Sequence, residues 1–170
     1  MSARGGKAYR RQVPSFLTAR SDDPAAERLL DEYFASRELG FTTGPGGYRV
    51  VRPDPAWFIP PAGVFLVMRD DTDEPVGCGG VRRIGDLDGR ATFEVKHVWI
   101  QERARGRGWS RLLMAELETR AADLGARQVV LDTNRTLDAA QHLYRTSGYR
   151  AVPAYNSNPN ATDWFAKLLE

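Results

Sequence analysis

The hydrophobic positions of the chain switch between helical and strand spacing, and their order indicates the fold class. Leu29, Leu30 and Tyr33 recur at helical intervals behind the start signal of residues 21–24, which predicts a helix ending near Gly40. β-Branched and aromatic runs predict strands. In chain order the patterns predict a first strand near Val13, this helix, strands over 64–69, 75–84 and 92–100, a helix over 109–124, a strand over 128–132, a helix over 136–147 capped by Thr136, and a closing strand over 164–169.

This order of elements is typical of one mixed α/β domain, which we expect to span residues 1–170. Residues 1–12 show no periodicity and are expected to form a flexible arm or the start of the first strand. Residues 41–61 are rich in Gly and Pro and predict a long surface loop. Loops of this length in compact domains are often functional.

Composition excludes several classes of protein. Cys78 is the only cysteine and the chain has two histidines, so an internal disulfide is excluded and a structural metal site has almost no ligands. The longest apolar stretch, residues 57–68, contains two prolines and is too short to span a membrane. The first residues lack the apolar run of a signal peptide. We therefore expect a cytoplasmic protein with no metal and no membrane partner.

The arginines are concentrated in one short segment. Lys and Arg exceed Asp and Glu by only two in the whole chain, so a nucleic-acid partner is not expected. Within residues 103–111, however, four arginines surround Gly106 and Gly108, where a predicted strand leads into a predicted helix. Glycines allow a tight turn, and the helix N-terminus adds partial positive charge, which together favour a phosphate-binding turn. The alternative is a plain turn with solvated arginines.

At these residues the sequence resembles the GNAT superfamily of acetyl-CoA-dependent N-acyltransferases. Arg103-x-x-Gly106-x-Gly108 is similar to the family signature (Gln/Arg)-x-x-Gly-x-(Gly/Ala). Residues 94–100 resemble the family's fourth strand, and residues 139–149 resemble its Ala-x-x-x-Leu-Tyr-x-x-x-Gly-(Phe/Tyr) motif. The similarity covers about residues 64–152. It implies the GNAT fold, a mixed six- to seven-stranded sheet flanked by about four helices, with acetyl-CoA as cosubstrate.

The resemblance also implies which residues bind the cofactor. The glycine turn would hold the diphosphate of coenzyme A, and the end of the strand before it would pair with the pantetheine arm as an added strand. Many members carry Asn where this chain has Leu137, and Asn134 is the nearest amide, which is equally explained as a turn residue. The implied cofactor-binding residues are Val98, Trp99, Ile100, Arg103, Arg105, Gly106, Arg107, Gly108, Trp109, Ser110, Arg111 and Asn134.

Two side chains are candidates for the chemistry. In the family, a tyrosine at the position of Tyr144 protonates the departing thiolate; here it is also explained as a core aromatic. A buried Glu94 could take the proton of an incoming ammonium, and the alternative is a salt-bridged strand residue paired with Lys96. His97 is the rival base, but strand alternation predicts that it lies on the opposite face from Glu94.

The predicted function is transfer of an acetyl group from acetyl-CoA to a primary amine by direct attack in a ternary complex. The alternative is a non-catalytic acyl-CoA sensor or interaction module that uses the same phosphate-binding turn. The acceptor, a small molecule or a peptide amine, is not identified by the sequence, and a homodimer is left open. The polar segment 155–160 and the loop of residues 41–61 are expected beside the acceptor pocket.

Overall fold

The computed structural model describes residues 13–41 and 46–170. Within these residues no helix is long and apolar enough to cross a membrane. The elements, in chain order, are β1 (Ser15–Ala19), α1 (Pro24–Gly40), β2 (Gly63–Arg69), β3 (Pro75–Leu87), β4 (Arg90–Ile100), α2 (Trp109–Asp123), β5 (Gln128–Thr133), α3 (Asp138–Thr146), β6 (Arg150–Val152) and β7 (Asp163–Leu168). Two short 3-10 helices cover Pro55–Phe58 and Glu102–Ala104.

The strands form one mixed sheet in the order β1-β2-β3-β4-β5-β7-β6. β1 to β4 form an antiparallel meander. β4 and β5 are parallel and are connected through α2, while β5, β7 and β6 pair antiparallel. The parallel pair is therefore central, and the chain between its strands contains the arginine and glycine turn.

Both faces of the sheet are covered by helices. On one face, Leu113 and Leu117 of α2 are completely buried against strand residues such as Phe93. On the other face, Leu30 and Phe34 of α1 pack with Phe65 and the lone thiol, Cys78. Burial of apolar side chains on two faces of one sheet supplies the main stabilising free energy of the fold.

Most element boundaries lie within about three residues of the predicted ones. β6 and the two 3-10 helices have no counterpart among the predicted elements. The described chain contains three α-helices besides the two 3-10 helices, which roughly matches the expected number of about four. Thr136 does not cap α3: the N-cap is Leu137, and the Thr136 hydroxyl instead donates to Asn134 Oδ1 at 2.9 Å. The expectations for residues 1–12 and 42–45 lie outside the described residues.

Candidate active site

The sheet splits between its two parallel strands. β4 and β5 pair only over Thr92–Glu94 and Gln128–Val130. Beyond these residues β4 continues along β3, and β5 continues along β7, so their facing edges separate. A cavity of about 390 Å³ lies at the split. The facing edges offer backbone groups that no other strand of the described chain pairs with, as an extended ligand requires.

A β-bulge in β4 shapes the wall of this cavity. Gly80 pairs with Lys96 but Cys78 pairs with Trp99, so β4 holds one extra residue here, and His97 adopts a left-handed φ of 57°. The bulge turns His97 towards α1, where its ring contacts Tyr33 and Phe34 at centroid distances of 5.5 and 5.6 Å. The expectation from strand alternation is therefore wrong, because the bulge brings His97 to the face that carries Glu94.

His97 is neutral under ordinary conditions. Burial, and then the positive charges of Lys96 and Arg82, lower the pKa of His97 to about 3. Its Nδ1 is buried and has no hydrogen-bond partner in the described part of the chain. The ring lines the cavity. An uncharged imidazole with an unused ring nitrogen can form a hydrogen bond with a ligand bound there.

Glu94 is the centre of a buried ionic network rather than a free carboxylate. It is 1% exposed. One oxygen accepts from Arg82 Nε and Nη2 at 3.0 and 2.8 Å. The other accepts from Tyr155 Oη at 3.0 Å and Asn156 Nδ2 at 3.3 Å, and lies 3.1 Å from Lys96 Nζ. The predicted pairing with Lys96 is present, and Glu94 itself is not among the residues that line the cavity.

Lys96 joins this network to β5. Its ammonium group donates to both oxygens of Asp132 at 3.0 Å. Burial alone would lower the pKa of Lys96, but Glu94 and Asp132 more than compensate and raise it above its ordinary value. Asp132 also accepts from the amides of Asn156 at 2.7 Å and Asn158 at 3.2 Å. The network therefore bridges the split in the sheet and holds the polar segment 155–160 over the cavity.

Tyr144 lies on the opposite wall of the cavity, on the buried face of α3. Its ring packs 6.1 Å from the rings of both Tyr149 and Phe165. Burial raises the pKa of Tyr144 to about 12, so the phenol keeps its proton. Tyr144 is therefore a core aromatic that also faces the cavity, and its role as a proton donor stays a prediction.

The arginine and glycine turn has the backbone geometry of an anion site. Gly106 and Gly108 both have φ of 75°, and Gly108 is the N-cap of α2. The N–H groups of Gly106, Gly108, Trp109 and Ser110 form no hydrogen bond within the described chain. Free N–H groups at a helix N-terminus attract phosphate. The turn therefore fits the diphosphate of coenzyme A.

The four arginines of the turn are oriented by the protein itself. Arg103 forms an ion pair with Asp70 at 3.2 Å, and Arg105 donates to the Ile100 carbonyl at 3.0 Å. Arg107 lies over the Trp109 ring at 5.0 Å. Arg111 reaches the Thr146 hydroxyl at 2.9 Å and so connects α2 to the end of α3. Their mutual repulsion is therefore relieved partly within the protein, without a bound anion.

The three cofactor-binding residues implied at the end of β4 have different environments. Val98 lines the cavity, whereas Ile100 is in the core and the Trp99 indole donates to Glu32 at 3.0 Å. Contact of Trp99 and Ile100 with a cofactor would therefore involve their backbone. Asn134 also lines the cavity, but its amide donates to the Asn160 carbonyl at 3.1 Å and its oxygen accepts from residue 136, so it has the contacts of a turn residue.

Sequence reasoning missed the part of the cavity that α1 forms, where Tyr33 and Arg37 line it. The loop of residues 41–61 was expected beside the acceptor pocket, and Phe41, Tyr48, Arg49 and Trp57 of this loop line the cavity. The helical pattern of α1 includes Tyr33, but periodicity alone does not indicate which residues of a helix border a cavity. The placement of the polar segment near the acceptor pocket remains a prediction, although residues 156–161 do line the cavity.

A mixed sheet that splits between two central parallel strands, with a glycine turn before the following helix, is the GNAT fold. Solved structures agree with this assignment. An acetyltransferase of the GNAT family from Staphylococcus aureus superposes with a TM-score of 0.71 at 15% identity, covering 93% of this chain and 100% of the other. A phosphinothricin acetyltransferase from Sinorhizobium meliloti, solved in complex with AcCoA, gives a TM-score of 0.63 at 19% identity, covering 92% and 88%. The predicted fold class is confirmed.

Sequence comparison identifies the family. Residues 17–149 match the model of the acetyltransferase (GNAT) family, so the chain belongs to that family. An uncharacterized N-acetyltransferase of Schizosaccharomyces pombe is 34% identical over 100 residues, which cover 59% of this chain and 60% of the relative. The superfamily predicted from the arginine and glycine turn, and with it the acyltransferase class, is therefore confirmed.

Proposed function

We propose that this protein transfers an acetyl group from acetyl-CoA to a primary amine by direct attack within a ternary complex. The observation that carries the proposal is the split between β4 and β5, which opens a cavity between two free strand edges. Tyr144 faces this cavity, and the loop that leaves β4 carries free backbone N–H groups at Gly106, Gly108, Trp109 and Ser110. An extended thioester with a diphosphate at one end fits these features.

The chain's own groups would then have separate tasks. The N–H groups of the turn would hold the diphosphate, and the edge of β4 at Val98–Ile100 would align the pantetheine arm and donate a hydrogen bond to the thioester oxygen as charge develops. Tyr144 would protonate the departing thiolate. Its raised pKa ensures that the proton is present, and a hydrogen bond to the developing thiolate lowers the barrier.

Removal of the amine proton has two candidate acceptors. Glu94 is the predicted one, and because Arg82, Lys96, Tyr155 and Asn156 contact its carboxylate, we propose that the proton reaches it through a water molecule rather than by direct contact. His97 is the second candidate, because it lines the cavity and has an unused ring nitrogen.

Variants separate these two candidates. If Glu94 is the acceptor, Glu94→Gln should lower kcat by about 100-fold and change its pH profile, as is typical for loss of general base catalysis. His97→Asn should then alter kcat much less. The opposite order would assign the step to His97.

Turnover with a broad panel of amines tests the proposed function itself. Acetyl-CoA is mixed with the protein and each amine, free thiol is followed by colorimetry, and the product is identified by mass spectrometry. We expect thiol release that depends on an amine and a mass increase of one acetyl group. Binding of acetyl-CoA without thiol release for any amine would instead indicate the acyl-CoA sensor.

A further inference from the structure

The charges that line the cavity are mostly positive. Its charged lining residues are Arg37, Arg49, Arg82, Lys96 and Asp132. Four of the five are cationic, in a protein whose overall formal charge is only +2. The cavity therefore differs from the rest of the molecule, and this difference bears on the charge of the acceptor that enters it.

The carboxylates near the cavity are already used by the protein. Lys96 contacts both Glu94 and Asp132, and Arg82 contacts Glu94, so two cations are balanced by two acids. The oxygens of Asp132 also accept from Asn156 and Asn158. The cavity thus offers no free carboxylate to a second cationic group on a substrate.

Arg37 carries an unbalanced positive charge close to the reacting groups. It lies in the last turn of α1, half-buried, with its guanidinium 5.0 Å from the centre of the Tyr33 ring. Burial raises the pKa of Tyr48 and of Tyr144, and the positive charge of Arg37 lowers both pKa values. Arg37 therefore lies within electrostatic reach of Tyr144. No carboxylate of the described residues lies within ion-pair distance of it.

Arg49 carries the second unbalanced charge, and its backbone is held in place. Its N–H donates to Asn160 Oδ1 at 2.9 Å, and its carbonyl accepts from Asn160 Nδ2 at 2.7 Å. The N–H of Asn160 in turn donates to Asn158 Oδ1 at 3.1 Å, which connects Arg49 to the ionic network. The described residues give its guanidinium no ion pair, and residues 1–12 and 42–45 contain no Asp or Glu.

The phosphates of coenzyme A do not account for these two charges. The free N–H groups that fit the diphosphate belong to Gly106, Gly108, Trp109 and Ser110, and none of these residues lines the cavity. Arg37 and Arg49 instead lie on the α1 side, with Tyr33, Tyr48 and Trp57. An anion bound by them would belong to the other substrate.

We propose that the acceptor is a small amine that also carries a carboxylate, of the class of free amino acids, and that Arg37 and Arg49 bind this carboxylate. The inference rests on the proposed acetyl transfer and names its substrate class. Two guanidinium groups are well suited to a carboxylate, because each can donate two parallel hydrogen bonds. The size of the cavity suits a molecule of a few non-hydrogen atoms beside the thioester.

Matched pairs of amines test the proposal. Each standard L-amino acid is compared with its carboxamide, which keeps the amine and the side chain but removes the negative charge. We expect at least one acid to be acetylated with a kcat/KM about tenfold or more above that of its amide, the size typical of a lost charge-assisted contact. The amide has the larger fraction of neutral amine near neutral pH, so intrinsic reactivity works against this result.

Variants of the two arginines give the second readout. Arg37→Gln and Arg49→Gln should each raise KM for the acid about tenfold and bring the ratio of kcat/KM for the acid to kcat/KM for its amide closer to one. Arg37→Lys should recover part of the loss. Arg28→Gln is the matched control, because Arg28 is an exposed arginine on the same helix and does not line the cavity.

Acetyl-CoA binding, measured calorimetrically on the same samples, distinguishes failure of the proposed acetyl transfer from failure of the acceptor assignment. If the wild type does not bind acetyl-CoA, the proposed function is contradicted. With acetyl-CoA binding intact, equal kcat/KM for acids and amides, no transfer to any acid, or the same KM in the glutamine variants would overturn the assignment of a carboxylate-bearing acceptor.

Discussion

The neutral imidazole of His97 makes the fold sensitive to acid. The pKa of His97 is about 3 in the folded protein and about 6.5 in an unfolded chain. Between these values the unfolded chain takes up a proton that the folded protein does not, so stability falls as pH drops below about 6.5. Linkage gives a loss of about 2 kcal/mol at pH 5 from this one group.

Chemical denaturation of His97→Asn and of the wild type, at neutral pH and at pH 5, measures this effect. The decrease in the free energy of unfolding from neutral pH to pH 5 should be about 2 kcal/mol smaller in this variant than in the wild type. Asn tolerates the left-handed φ of the position. His142→Asn, at an exposed histidine, is the control and should follow the wild type. An unchanged pH dependence in His97→Asn would contradict the buried, neutral state.

Tyr144 should matter through its hydroxyl and not through its ring. Tyr144→Phe keeps the packing against Phe165 and removes only the proposed proton donor. We expect kcat to fall by about 100-fold, with KM for acetyl-CoA nearly unchanged. Tyr149→Phe is the comparison, because that tyrosine packs against Tyr144 but does not line the cavity. Equal kcat in Tyr144→Phe and wild type would remove Tyr144 from the mechanism.

At the scale of elements, the cavity wall depends on a close approach between β2, β3 and the 3-10 helix at Pro55–Phe58. A Cβ added at Gly63 would overlap the carbonyl oxygens of Trp57 and Val81. Backbone atoms cannot rotate away, so Gly63→Ala should lower the free energy of unfolding by about 1–3 kcal/mol. A Cβ added at Gly40 meets no atom within 4 Å, so Gly40→Ala should be neutral or slightly stabilising. Thermal unfolding of the two variants measures the difference. Equal stability of the two variants would contradict this packing.

The elements also show what periodicity can and cannot predict. β2 and β5 were found because nearly every residue in them is buried, which leaves a continuous apolar run. β6 was missed because its three residues are mostly exposed and stabilise the sheet through backbone pairing with β7 alone. The bulge at His97 was missed because a positive φ at a histidine is imposed by the register of β3 and β4 and leaves no trace in residue type.

At the scale of the whole molecule, the site depends on contacts between distant parts of the chain. From the sequence, a buried Glu94 and a Glu94 paired with Lys96 were alternatives, and the pairing needs only neighbours on one strand. Its contacts with Tyr155 and Asn156 span 61 and 62 positions and follow from tertiary structure alone. The glycine turn could be identified because its function requires particular residue types at fixed spacing. On the α1 side of the cavity only the loop of residues 41–61 was expected and not its individual lining residues, because the aromatic and arginine side chains there come from separate segments.

The turn at residues 106–110 is proposed to hold the diphosphate of acetyl-CoA, and calorimetric titration of acetyl-CoA into the wild type and two matched variants measures this contact. Gly108→Glu would introduce a carboxylate beside the free N–H groups, whereas Gly89→Glu introduces the same charge in a distant turn with nearly the same φ, 73° against 75°, and equally open space. We expect wild type and Gly89→Glu to bind acetyl-CoA equally and Gly108→Glu to bind it at least about 100-fold more weakly. Equal affinity of Gly108→Glu and wild type would contradict a diphosphate site at this turn.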